Sequence, residues 1–396
     1  YSSDSGSSWT TFADGVSTST SATVTGLTNG TSYTFRVAAV NAVGTGSYST
    51  ASSSSTPVTT AGAPTSVVAT AGDTSVSLSW TAPVSNGGSA ITDYAIQYSS
   101  NSGAIWTTFA DGTSTSTSAT VTGLTNGTSY TFKVASVNSV GTGTYSTVSS
   151  AVTPATSAGA PTSVTGTLGN TSVALSWTAP ASNGGSAITD YVIQYSSNSG
   201  SSWTTFADGT STSTSATVTG LTNGTSYIFK VAAVNGIGTS SYSTSSSAVT
   251  PATTAGAPTS LTVSAGNATV SVSWTAPASN GGSAITDYAI QYSSNSGAVW
   301  TTFADGTSTS TSATVTGLTN GTSYTFRVAT VNSVGTGSYS TASSAVTPIT
   351  TPGIPTSVSA STGARQASIS WTAPASNGGS AITGYAVQLS TDGGTN

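Results

Sequence analysis

All ten acidic residues of this chain are Asp, and six of them recur as pairs: Asp93 with Asp111, Asp190 with Asp208, and Asp287 with Asp305. Two carboxyl groups, one protonated and one ionised, are what a glycosidase places on either side of a glycosidic bond. Against that chemistry, Asp111 stands in the Asp-Gly of a turn, and one active site repeated along a rod would be odd. Turn or surface roles are expected for these pairs. Ser and Thr abound, but the chain has no His and no Cys, so neither an imidazole base nor a thiolate nucleophile is available. The expectation is that the chain is not an enzyme and has no catalytic residues.

Metal and cofactor chemistry fares no better. Calcium requires six to eight oxygens, usually from clustered carboxylates, and these Asp residues are isolated in sequence, so no metal ligands and no cofactor are expected. Lys133 and Lys230 could enter an internal Lys–Asn cross-link, but Arg36 and Arg327 hold the same phase of the sequence and cannot form that bond. This basic position is read as a solvated strand face. Trp9, Trp106, Trp203 and Trp300 could offer a flat stacking surface for a sugar; the reading preferred is that Trp106 covers one end of its domain, partly buried. Six Asn-x-Ser/Thr sequons, at Asn29, Asn126, Asn170, Asn223, Asn267 and Asn320, are surface acceptors in a eukaryotic secretory setting.

Composition narrows the partners. Charged residues make up 4 % of the chain and the net charge is −5, which argues against a nucleic acid or an anionic membrane as partner. No apolar run approaches a membrane span. Low charge with many hydroxyls can mean disorder, but disordered chains lack aromatics, and this one has 8 Trp, 16 Tyr and 8 Phe.

The elements that carry these residues repeat. Trp106, Trp203 and Trp300 follow Trp9 at a constant step of 97, and Trp80, Trp177, Trp274 and Trp371 form a second ladder with the same step. That period is the length of a domain, above that of a solenoid unit. In the copy from Pro64 to Pro154, strands are predicted at Thr65 to Thr70, at Val76, Leu78 and Trp80, and from Ile91 through Tyr94, Ile96 and Tyr98. Further strands are predicted at Trp106 to Phe109, Ser118 to Thr122, Tyr130 to Val137, and Thr144 to Val152, from apolar residues at every second position between turn signals. Leu124-Thr-Asn-Gly-Thr-Ser-Tyr130 places a Tyr after a turn, where its hydroxyl can point back at the turn's backbone, as in the tyrosine corner of immunoglobulin-like sandwiches.

With Trp80, Tyr94-x-Ile96-x-Tyr98, Leu124-x5-Tyr130-x-Phe132-x-Val134, Asn138-x-x-Gly141 and the closing Pro154, each copy resembles a fibronectin type III domain. The resemblance implies an all-β fold, with tandem seven-stranded immunoglobulin-like sandwiches of three plus four strands in a linear array. The chain has no Arg-Gly-Asp, so integrin-type adhesion is not supported, and the Ser/Thr/Gly-rich copies are similar to repeats of large secreted or surface proteins of bacteria.

The limits expected are complete copies at 64–154, 161–251 and 258–348, the last strands of a copy at 1–57, and the first strands of one at 355–396. Short joints with proline at both ends should be semi-rigid, and four copies of about 30 Å would make a rod of roughly 120 Å. Tyr1 and Leu389 share one phase, so the two ends are complementary. A window cut from a longer array fits this, and so does head-to-tail assembly in which one chain's end completes the next. The expected role is an extracellular or cell-surface structural spacer, part of a long surface or filament-forming protein. Its partners would be copies of itself, end to end or lateral, or cell-surface glycans. An adhesin or carbohydrate-binding array, or the linker of a larger secreted enzyme, is the alternative.

Overall fold

The computed structural model describes residues 1–391, 393 and 394. All regular elements among them are strands. In the copy 64–154 these are β1 (Thr65–Ala71), β2 (Ser75–Thr81), β3 (Asp93–Ser99), β4 (Thr107–Phe109), β5 (Ser118–Thr122), β6 (Thr131–Asn138) and β7 (Gly141–Tyr145). One sheet has the order β1-β2-β5 and the other β4-β3-β6-β7, all pairs antiparallel.

The period-2 pattern decides which side faces in. In β2, Val76, Leu78 and Trp80 are buried while Ser77, Ser79 and Thr81 are exposed. Opposite them, Tyr94 and Ile96 of β3 and Phe132 and Val134 of β6 close the core. Trp80 and Tyr94 meet edge to face with ring centroids 5.2 Å apart, the arrangement favoured by aromatic quadrupoles. Residues 161–251 and 258–348 repeat this core position by position around Trp177 and Trp274.

The last predicted strand differs from expectation. Regular pairing ends at Tyr145, and beyond it the chain touches β6 only at every third residue. Ser146, Ser149 and Val152 donate their backbone N–H groups to the carbonyls of Val134, Phe132 and Tyr130, at 2.8, 2.9 and 2.9 Å. A strand repeating every two residues would present a carbonyl to each N–H of β6 in alternation; here serine side chains take that place. Ser146 Oγ accepts from Val134 N at 3.1 Å and Ser149 Oγ from Phe132 N at 3.0 Å. In the copy 161–251, Ser240 stands where the others have Gly143 and Gly337, and it adds a third step by accepting from Ala233 N at 2.9 Å.

Residues 1–57 and 355–391 each carry part of this sandwich. Val37 is 74 % exposed where its equivalent Val134 is fully buried, and Val387 is 54 % exposed where Ile96 is fully buried. The same serine ladder forms in the first stretch, with Ser49 and Ser52 accepting from Val37 N and Phe35 N.

Candidate functional site

The corner turn is built as its residues suggest. Tyr130 is 7 % exposed, and its hydroxyl accepts a hydrogen bond from Thr125 N at 3.1 Å. Tyr33, Tyr227 and Tyr324 do the same for Thr28, Thr222 and Thr319. Tyr130, Tyr227 and Tyr324 are each followed by the buried apolar run of the long strand, so one side chain fixes how the chain enters that strand.

In the complete copies the sequon asparagines of this turn, Asn126, Asn223 and Asn320, are engaged rather than free. Asn126 Oδ1 accepts from Thr74 N at 2.8 Å, and its Nδ2 donates to Asp73 Oδ1 at 2.8 Å. This ties the corner to the tip of the β1–β2 hairpin, where Thr74 is held at φ 48°, a conformation uncommon for a β-branched residue. In the next copies the hairpin-tip partner is itself a sequon: Asn223 Nδ2 donates to Asn170 Oδ1 and Asn320 Nδ2 to Asn267 Oδ1, both at 2.8 Å.

The basic position lies on the outer face of its strand, as the sequence suggests, but its cation rests against aromatic rings. Lys133 Nζ lies 4.2 Å from the ring centroid of Trp106 and 4.7 Å from that of Tyr145. Lys230 lies between Trp203 and Tyr242, Arg36 between Trp9 and Tyr48, and Arg327 between Trp300 and Tyr339. A cation over an aromatic face contributes about 0.5–2 kcal/mol, more as water is excluded. Phe132 and Val134 flank Lys133 in the core, so the stack lies on the outer face of the four-stranded sheet. Trp106 therefore covers that face and not the end of the sandwich. The ring that might have stacked on a sugar has a cation against it, and on it also rests Gly103, whose added Cβ would stand 3.4 Å from the indole. Sequence reasoning missed this cluster because Lys133 and Tyr145 come from two strands and Trp106 from the residue before a third, and they meet only through the sheet register.

The paired Asp residues do come together. Asp93 Oδ1 accepts from Ser114 N at 2.9 Å, and Asp190 and Asp287 hold Ser211 N and Ser308 N in the same way. Although Asp111, Asp208 and Asp305 are exposed, slight desolvation pushes their carboxyls above the ordinary range, with the charge of Asp93, Asp190 or Asp287 adding to it. Two neighbouring carboxyls are ingredients of acid–base chemistry, yet here one of them is committed to fixing a loop. The titration has a consequence for stability. A carboxyl whose folded pKa is raised binds its proton more readily folded than unfolded, so its penalty is absent below the ordinary carboxylate pKa and grows as pH rises through the raised value. Changing all three to Asn (Asp111→Asn, Asp208→Asn, Asp305→Asn) should raise stability slightly at neutral pH and leave it unchanged near pH 3, measured by urea unfolding at both. An equal effect at both pH values would sink this assignment.

Comparison with solved structures finds a likeness to the crystal structure of chicken CNTN1 FN1-FN3 domains, at 22 % sequence identity and a TM-score of 0.31, covering 73 % of this chain and 99 % of that one. The family model for the fibronectin type III domain matches residues 2–55, 62–152, 159–249 and 256–346, and with the sandwich cores, corner tyrosines and sheet orders described above, the chain belongs to the fibronectin type III family, which it carries as tandem copies.

Proposed function

We propose that the chain is an extracellular or cell-surface spacer, a stretch of a long surface or filament-forming protein that separates what it connects and performs no reaction. The observation that carries this is the repetition itself. Three successive sandwiches have the same core, corner and cation stack at a fixed step of 97 residues, with no module given side chains of its own for a distinct task. A spacer needs only length and independent folding, which quasi-one-dimensional arrays supply. The binding alternative, stacking of glycans on the Trp106 position, is disfavoured by the cation already against the ring. Among the described residues, no helix is long and apolar enough to cross a membrane.

Copies of the same chain are the proposed partner. Val37 stands at the position of Val134 and Val387 at that of Ile96, which pair across β3 and β6 in a complete sandwich, and these exposed positions are covered either by flanking sequence in a longer chain or by a second copy. Electron microscopy with mass measurement separates the two. Filaments many chains long, built from chains of this mass, support self-assembly, and single short rods support covalent continuation. Spacing is tested by deleting one repeat, residues 161–257. Rods shortened by one module of about 30 Å, with attachment at either end unchanged, are expected. Loss of a binding activity rather than of length would overturn the spacer reading.

A further inference from the structure

The segments between sandwiches have no free residue at the changeover. Between the copies 161–251 and 258–348, Pro251 O accepts from Gly224 N at 2.9 Å and Ala252 N donates to Gly169 O at 3.1 Å, both in the preceding sandwich. The very next residue belongs to the following one: Thr253 N donates to Gly281 O at 2.8 Å, and Gly256 N to Ser279 O at 2.9 Å. Asn332, from the long strand of that following sandwich, donates its Nδ2 to Thr253 O at 2.8 Å and to Asn280 O at 2.9 Å. Ala252 and Ala255 are 6 % and 3 % exposed. A tether would leave such groups to water.

The two sandwiches also touch directly. Gly282 lies against the corner turn of the preceding module so closely that an added Cβ would stand 2.5 Å from Gly224 N and 2.8 Å from Asn223 Cβ. On Gly281 it would stand 2.2 Å from Thr253 O. Both glycines have positive φ, 75° and 86°, so the Gly-Gly pair serves both turn and contact. The contact recurs as Gly88 on Gly30, Gly185 on Gly127 and Gly379 on Gly321. Within one module the corner turn lies beside the start of strand β2, where Leu124 N donates to Thr74 O, while the glycine loop follows the end of that strand. The two surfaces are at opposite ends of the sandwich, so each joint is head to tail.

We propose that each joint is a fitted module–module interface. The Ser-Asn-Gly-Gly loop of every sandwich recognises the Asn-Gly corner and the connecting segment of its predecessor, and this holds neighbours at one repeated angle. The use made of such stiffness rests on the spacer reading; the geometry does not. The full chain has no cysteine, so nitroxide labels can be placed on the exposed equivalent positions Ala174 and Ser271 as Ala174→Cys and Ser271→Cys. Their distance distribution is read by pulsed electron spin resonance. The parent chain should give one narrow peak. Inserting Gly-Ser-Gly-Ser between Ala252 and Thr253 separates the two anchors with flexible chain and should broaden that peak at least roughly twofold. Thermal melting of the same samples checks that the sandwiches stay folded. A parent distribution as broad as that of the insertion variant overturns the proposal. Narrow distances in a chain that fails the deletion test above would retain the joint and reject the spacer.

Discussion

Phe229→Ala removes about 3–5 kcal/mol from the sandwich 161–251 and should give the full chain a second, lower-temperature transition in calorimetry. Phe229 is fully buried. It belongs to a core with Trp177, Tyr191, Ile193, Val218 and Val231 and stands opposite Tyr195 across the sheet. The loss combines the transfer of the ring's surface with the cavity left among neighbours that relax only partly. A domain's whole stability is on the order of 5–15 kcal/mol, so one module is brought near its threshold. The neighbouring modules have their own Phe132 and Phe326 in separate cores, and arrays couple only through nearest-neighbour contacts. A split melt is therefore expected, with the upper transition close to that of the parent. One transition shifted as a whole would mean that the joints bind the sandwiches into a single cooperative unit.

Much of this architecture was legible in the sequence because its signals are local. Alternation in Ser75-Val-Ser-Leu-Ser-Trp-Thr81 states both a strand and which of its faces is buried, and Leu124-x5-Tyr130 states a turn and its anchor. The tandem order followed from the constant step between tryptophans. What stayed hidden depends on partners distant along the chain. Lys133 reads as an exposed strand residue until the register brings Trp106 and Tyr145 to either side of it. Gly87-Gly88 reads only as a loop, because a glycine needed for close approach has the same letter as one needed for a turn. The paired Asp residues showed their spacing but not that Asp93 is spent on Ser114 N.

The serine ladder was hidden for another reason, and its removal is the second large effect expected. In Ser240-Ser-Tyr-Ser-Thr-Ser-Ser-Ser-Ala-Val249 hydroxyl residues are so dense that a period of three leaves no visible mark. The structure separates them by role. Ser243 Oγ accepts from Val231 N and Ser246 Oγ from Phe229 N, both at 3.0 Å and both buried, while Thr244, Ser245 and Ser247 are exposed. Ser243→Ala or Ser246→Ala leaves a buried backbone N–H without an acceptor, which costs about 1–3 kcal/mol each. Ser245→Ala and Ser247→Ala, changes of the same chemistry one residue away, should fall within about 0.5 kcal/mol of the parent. Urea unfolding gives the stabilities, and amide hydrogen exchange at Phe229 and Val231 should quicken only in the first pair. Equal effects at all four positions would mean that the segment is held by its backbone alone. The same steps explain how this edge is closed. A segment that meets the sheet only every third residue presents no two-residue repeat outward, so it offers a poor template for another strand. That matters in a chain whose neighbouring sandwiches are nearly identical and could otherwise pair with one another.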